Sequence, residues 1–410
     1  MQERKIELLA PAGNFEKLEA AIHFGADAVY IGGKAFSLRS HSGNFAIEEI
    51  AEAVSFAEDH AVKIYVACNV FARNHEHDDI YHYLERLCAI GPDALIIADP
   101  GIFMAAKQVL GEKNRDIALH VSTQANTTSL LSARFWEQQG ASRVNAAREL
   151  TLPEIRIMAS SVPVEIEAFI HGAMCVAYSG RCLLSHYMAA RDGNRGLCAH
   201  ACRWKYHLME EKRPGEYLPV FEDDRGSYFF SSKDLCMIEH IPEMIRAGIA
   251  SLKIEGRMKG LNYLAATIKT YRRAIDAYYA APDNFEVDKN WHEELESINY
   301  RGYSTGFYLN DPDGPLPGYE QVKRNDEHRY IGKIINKIGS SEIVIGIKNR
   351  ILKENTIEIV GREGAARRNS ILRITTDLDF DAPLAQPNTN VTVLLEKPDA
   401  CVSGDIVRIA

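Results

Sequence analysis

Short apolar runs recur along the first 255 positions, separated by stretches in which hydrophobic residues return every three or four places. Ile6–Pro11, Ala28–Gly32, Lys63–Asn69, Ala94–Asp99, Ala118–Ser122, Arg143–Ala147, Val164–Ile170 and Ser251–Glu255 read as buried strands. Near-continuous apolar runs belong to parallel sheets covered on both faces. Between them, segments such as Asn14–Phe24 and Ile47–His60 predict amphipathic helices. A repeat links the two kinds of element. Phe24-Gly25-Ala26-Asp27-Ala28-Val29 resembles Ile90-Gly91-Pro92-Asp93-Ala94-Leu95, Gln139-Gly140-Ala141-Ser142-Arg143-Val144 and Ala247-Gly248-Ile249-Ala250-Ser251-Leu252. In each, a glycine stops a helix and a short turn feeds the next strand. Eight such strands alternating with helices predict an α/β fold, a (β/α)8 TIM-like barrel. An open doubly wound sheet is the alternative, but no Gly-x-Gly-x-x-Gly follows the first strand.

One connection breaks the rhythm. About eighty residues separate the seventh and eighth strands, and insertions of that length are usually functional. Because loops after barrel strands form the active face, this insertion is expected to cap the mouth. After Leu261–Ala280, which reads as the last barrel helix, comes a polar stretch rich in Asp, Gly and Pro. From Tyr330 the pattern changes to short alternating runs: Tyr330–Ile335, Ile343–Lys348, Thr356–Val360, Ile371–Thr375, Val391–Leu395 and Ile406–Ile409. These predict a small C-terminal all-β barrel. The expected domains are a barrel over 1–282 with its lid at 172–240, a linker over 283–328, and a β-barrel over 329–410. Arg362, Arg367 and Arg368 in the last unit are phosphate contacts or, more ordinarily, a solvated loop.

The chain has 410 residues, 46% hydrophobic, and a net charge of −9. That balance is unusual for a dedicated duplex-binding protein but leaves room for a local basic groove. The N-terminus shows no signal peptide and no segment is apolar enough to span a bilayer. A cytoplasmic protein without membrane contact is expected.

Five of the eight cysteines, Cys175, Cys182, Cys198, Cys202 and Cys236, fall inside the insertion. Reducing compartments give no reason to collect thiols for disulfides, so the cluster points to metal chemistry. Four thiolates suit an iron–sulfur cluster or a zinc ion. No Cys-x-x-Cys knuckle is present, which favours the iron–sulfur cluster over a zinc ribbon. The bland reading, buried structural thiols, fits Cys68, Cys88 and Cys401 better. Other candidates sit at expected strand ends: Asn69, Gln124, Arg148, Glu149, Glu167, His171, Glu255 and Arg257. Each lines the mouth or joins a structural ion pair at the rim. Trp204 and Tyr206, beside Arg203 and Lys205, either stack an RNA base or pack beneath the lid. His75-Glu76-His77-Asp78 reads as a solvated loop.

A longer motif runs through the insertion. Glu167-x-Phe169-x-x-Gly172-Ala173-Met174-Cys175-x-x-x-x-Gly180-Arg181-Cys182-Leu183-Leu184-Ser185 resembles the signature of peptidase family U32, the collagenase-like proteases. Leu8-Leu9-Ala10-Pro11-Ala12-Gly13, Arg191-Asp192-Gly193-Asn194-Arg195-Gly196, Ser232-Lys233-Asp234-Leu235-Cys236 and Lys253-Ile254-Glu255-Gly256-Arg257 are similar to its flanking segments. Neither a His-Glu-x-x-His helix nor a Gly-x-Ser-x-Gly elbow is present. The resemblance instead implies a hydroxylation factor of the tRNA wobble-uridine branch, forming 5-hydroxyuridine with prephenate as co-substrate. A U32 peptidase and a hydroxylase of rRNA or of a ubiquinone precursor are the alternatives it leaves. It implies a [4Fe–4S] cluster on Cys175, Cys182, Cys198 and Cys236, with Cys202 able to replace Cys198. If prephenate is the co-substrate, Arg148 and Arg257 at the strand ends are expected to clamp its two carboxylates, since guanidinium forks match carboxylates bidentately, and Arg148, Glu149, Glu167, His171, Glu255 and Arg257 are the expected catalytic set. The implied partners are the tRNA anticodon loop, prephenate, and a second copy or paired homologue.

Overall fold

The computed structural model describes residues 5–39, 43–175, 177–204, 232–309, 328–397 and 399–410, with the backbone of 222–223 and 226–227. Seven parallel strands, β1 (Glu7–Pro11), β2 (Ala28–Gly32), β3 (Lys63–Cys68), β4 (Ala94–Ile97), β5 (Ala118–Val121), β6 (Arg143–Asn145) and β7 (Glu165–Ala173), pair in sequence order. The closing strand Ser251–Ile254 pairs in parallel with both β7 and β1, which completes an eight-stranded barrel. Helices α1 (Phe15–His23), α2 (Ile47–Glu58), α3 (His77–Ile90), α4 (Pro100–Lys113), α5 (Leu130–Gln139) and α6 (Leu152–Ser161) form the outer ring. Their starts carry the expected capping chemistry: Asn14, Asp99, Ser129 and Thr151 accept backbone N–H groups of the first turn.

Alternation places Leu9, Ala28, Tyr30, Tyr65, Ala94 and Ile96 together in one apolar cluster. Charged side chains accompany it. Arg143 donates to Glu7 at 2.6 Å and to Glu165 at 2.8 Å, and Lys253 donates to Glu167 at 2.7 Å. Buried charges persist only when paired and hydrogen-bonded, and this ladder satisfies that condition. The main hydrophobic core lies between strands and helices.

Strand β7 does two jobs. Glu167–Phe169 pair with the closing strand, whereas His171–Ala173 pair antiparallel with the lid strand Asp234–Cys236. β7 therefore runs three residues beyond the expected Ile170. On the far side of the lid strand, Tyr303–Ser304 adds in parallel and draws the chain after the barrel across its side. Helix α7 (Leu261–Ala280) is covered on most of its surface, burying even Lys269 and Arg272. The six alternating runs of the C-terminal region form a closed antiparallel barrel, with its own isoleucine- and valine-rich core. Contacts join it to the larger barrel: Lys333 to Glu19 at 2.6 Å, His23 to Asp405 at 2.9 Å and Arg408 to Glu294 at 2.9 Å. Among the described residues, no helix is long and apolar enough to cross a membrane.

Candidate active site at the barrel mouth

The C-terminal ends of the strands surround a cavity. Tyr30, Asn69, Gln124, Arg148, Phe169, Lys253, Glu255 and Arg257 line it, joined by Arg39 from the loop after β2. Asn69 accepts the Leu38 N–H at 3.1 Å and so holds that loop inward. Its charge is mostly positive. Arg39 lies 3.6 Å from Glu255. Burial works to raise the Glu255 carboxyl, but Arg39 and Arg148 outweigh it and hold the group below the usual carboxylate range. Arg257 is buried and donates to Ser37 Oγ at 2.9 Å, while its Nε has no partner. Desolvation pushes the Arg257 guanidinium down to about 10. An under-partnered buried guanidinium is a ready receptor for a carboxylate, which it meets with two parallel donors.

Above this cavity the lid encloses a second one. Cys175, Cys182, Cys198 and Cys202 all line it, with His200 and Arg203, and Arg39, Gln124 and Arg148 form a wall common to both. Cys175 stands just past the end of β7, and Arg148 NH1 donates to its Sγ at 3.5 Å. Burial would raise the Cys175 thiol, yet Arg148, Arg39 and Arg203 hold it below the ordinary thiol range. Burial raises Cys202.

The lid's own sequence explains how it stays in place. Gly180 has φ +73°, and a Cβ there would lie 2.0 Å from the carbonyl oxygen of Gln124, so the lid touches the β5 loop through bare backbone. The Arg191–Gly196 segment is a clasp. Asp192 caps the turn by accepting the Asn194 N–H at 3.0 Å, and Asn194 donates to Cys182 O at 3.0 Å. Arg195 donates to Glu76 at 2.6 and 2.9 Å and to Phe71 O at 2.6 Å. The His75–Asp78 segment thus supplies the lid's anchoring carboxylate.

Several expected site residues stand elsewhere. Glu149 accepts Ser179 N at 2.8 Å and Ser179 Oγ at 3.2 Å, so it fastens the lid instead of facing the cavity. Glu167 lies beneath the mouth, held by Lys253 at 2.7 Å and by Asn145 at 2.7 Å. His171 contacts Tyr271 on α7 at 3.2 Å, and burial pushes it down to about 3. The cause is a register shift between Lys253 and Ile254, opposite Phe169 and His171. A bulge reverses the side-chain alternation beyond it, so His171 leaves the lumen that Glu167 and Phe169 occupy. Cys236 is also turned to that side, 3.6 Å from the Tyr271 hydroxyl, and burial pushes its thiol up to about 11. It does not line the lid cavity. Trp204 donates to Ala199 O at 3.2 Å within the lid, and Lys205 and Tyr206 lie outside the described residues. Arg39 and Lys253 escaped the sequence reading. Lys253 was legible through its two-residue spacing from Glu255 and Arg257; Arg39 sits in a loop and left no signal.

A cofactor fit rests on the donor set. Four cysteine sulfurs bordering one cavity, beside guanidinium groups that favour thiolates, suit an iron–sulfur cluster. Among the described residues, no three Cys, His, Asp or Glu side chains are drawn together at metal-binding spacing.

Comparison with known proteins places this geometry. The family model for Peptidase family U32 matches residues 13–316. tRNA hydroxylation protein P1 of Bacillus subtilis is 43% identical over 361 residues, covering 88% of this chain and 84% of that protein. tRNA hydroxylation protein P of Escherichia coli is 34% identical, covering 96% of this chain and 94% of that protein. A 23S rRNA 5-hydroxycytidine synthase of Escherichia coli is 33% identical over 79% of this chain and 48% of its own length.

Proposed function

Because the chain belongs to peptidase family U32, we propose that it is an RNA-modifying enzyme that takes part in forming 5-hydroxyuridine at the wobble position of tRNA. Relatives named for tRNA and rRNA hydroxylation support the reaction class. The observation that carries the reading is the stacking of two cavities with one common wall: a cationic barrel mouth below and a four-thiol lid cavity above.

Prephenate is the small-molecule partner in this reading. Arg257, buried with an unpartnered Nε, and Arg148 on the common wall receive its two carboxylates. Tyr30 and Phe169 offer flat apolar surface for its ring. Cys175, Cys182, Cys198 and Cys202 hold a [4Fe–4S] cluster in the lid, and bound there it supplies one-electron chemistry. Cys202, expected only as a substitute for Cys198, is taken here as the fourth ligand in place of Cys236, because it borders the cavity and Cys236 does not. Glu149 and Arg195 keep the lid closed and exclude water from the acid beneath. The lid surface suits an anticodon loop. Arg181 and Arg191 on its described residues offer positive charge there, in a chain of net charge −9, while Arg195 is taken up by Glu76 and Arg203 lines the cavity. Tyr187, 83% exposed, offers a stacking face beside them.

Mass spectrometry of tRNA nucleosides from a deletion strain tests the proposal. Loss of 5-hydroxyuridine derivatives, restored by the wild-type gene and not by Cys175→Ser, is expected. An unchanged nucleoside profile, or cleavage of denatured collagen that survives Cys175→Ser, would sink it in favour of peptidase activity.

A further inference from the structure

Away from the mouth, a cavity of about 390 Å³ lies where α7, the segment after it and the C-terminal β-barrel meet. Two buried donors line it without partners. Among the described residues, Lys269, 2% exposed, has no hydrogen-bond partner for its Nζ, and Trp291, 4% exposed, has none for its indole N–H. Neither group can accept a hydrogen bond, so both require an acceptor. A buried ammonium without one costs several kcal/mol.

The carboxylates nearby are already committed. Arg408 donates to both oxygens of Glu294, at 2.9 and 3.1 Å, and its Nε donates to Glu358 at 2.9 Å. Arg368 and His328 complete the Glu358 carboxylate at 3.0 and 3.1 Å. Glu293 faces Lys289 at 3.2 Å. Arg408, Arg368 and His328 therefore surround Glu358, while Lys269 Nζ has no hydrogen-bond acceptor among the described residues. Burial pushes the Lys269 ammonium down to about 8, outweighing the attraction of Glu294.

We infer that this seam binds a phosphate group, whose oxygens accept from Lys269 Nζ and Trp291 Nε1. A tetrahedral oxyanion offers several acceptors to two donors arriving from different elements. The guanidinium groups of Arg273 and Arg368 on the lining match phosphate geometry as well. The ligand's phosphate comes either from the backbone of an RNA or from a free phosphate ion. Because Lys269 belongs to the barrel and Arg368 to the β-barrel, occupancy would bridge the two units. The inference does not depend on the hydroxylation reading, since phosphate binding is measured without RNA or turnover.

The test is a titration of the full chain with inorganic phosphate against potassium chloride of equal ionic strength, by calorimetry and tryptophan fluorescence. Saturable binding specific to phosphate is expected, weakened at least tenfold in Lys269→Met. Trp291→Phe keeps the packing but removes the donor; it should weaken binding severalfold and abolish the fluorescence response. Lys113→Met, altering an exposed lysine that is not on this lining, should leave both signals intact. Absence of phosphate-specific saturation in the wild type, or undiminished binding in both Lys269→Met and Trp291→Phe, overturns the site. Adding a single-stranded RNA oligonucleotide to the phosphate-loaded protein then identifies the source. Displacement of phosphate assigns the site to an RNA backbone, and retention assigns it to the free ion; either result supports the site.

Discussion

Alanine at Gly180 tests whether the lid is held by close backbone contact. The residue has φ +73°, and a Cβ would lie 2.0 Å from Gln124 O and 2.9 Å from Gln124 C. A left-handed backbone costs an L-residue about 1–2 kcal/mol. The separation must also widen from 2.0 Å to at least 3.4 Å before it becomes an ordinary contact. That movement of 1.4 Å pulls Ser179 away from Glu149, whose charge-assisted hydrogen bonds are each worth roughly 1.5–3 kcal/mol. Counting the loss of one of these bonds, the terms oppose lid docking by roughly 3–5 kcal/mol, which shifts the closed population by roughly 10²–10⁴-fold. Gly140→Ala is the matched control. Its φ is +93°, but the nearest atoms a Cβ would meet are the end of the Lys107 side chain at 3.7 Å. It should lower global stability by about 1–2 kcal/mol without touching the lid. Hydrogen exchange and limited proteolysis over residues 184–204 provide the assay, with nucleoside analysis alongside. A Gly180→Ala protein whose lid stays protected and whose 5-hydroxyuridine output is undiminished would refute the reasoning.

The remaining predictions concern ligands, core and pH. In anaerobic reconstitution, Cys175→Ser, Cys182→Ser, Cys198→Ser and Cys202→Ser should each lose most bound iron and visible charge-transfer absorbance. Cys236→Ser should retain them, and the opposite result for Cys202 and Cys236 would move the fourth ligand to the lid strand. Lys253→Met leaves the Glu167 carboxylate with Arg143 and Asn145 alone, and urea unfolding should show a loss of about 3 kcal/mol, the low end for a broken buried pair. Adding Glu167→Leu should recover much of it; a single variant as stable as wild type contradicts the pairing. His120 and His171 are buried and held well below their usual range by desolvation. Their folded forms stay neutral while the unfolded chain takes up protons, so stability should fall as pH drops below about 6.5. Glu7 and Asp234 are depressed by their arginine partners despite burial, which adds further loss near pH 4 and below. Urea midpoints that stay level from pH 7 to pH 5 would argue against buried neutral histidines.

Barrel strands and small-barrel strands were legible because alternation and apolar runs leave strong local traces. Leu261–Ala280 was legible to the residue. Long-range register was not. A single bulge opposite Phe169 and His171 sends His171 and its neighbours away from the mouth, and no local pattern announces it. Glu149 illustrates a second limit. Its position after β6 suggests a rim carboxylate, but its partner, Ser179, lies thirty residues away on the lid. Arg148 and Arg257 were readable because strand ends of a barrel converge by topology alone. The choice between Cys202 and Cys236 depends on how an insertion folds back, and spacing contains no such information.

The small C-terminal barrel has an ordering that bears on biosynthesis. Its last strand, Ile406–Ile409, lies between Tyr330–Ile338 and Thr356–Val360, pairing with both. On the ribosome those two earlier strands must wait with open edges until Ile406–Ile409 has been translated and has left the exit tunnel. Arg408, on that late strand, is also what clamps Glu294 in the preceding segment. Chain termination before Ile406 should therefore yield aggregation-prone protein, because both earlier strands then keep an open edge.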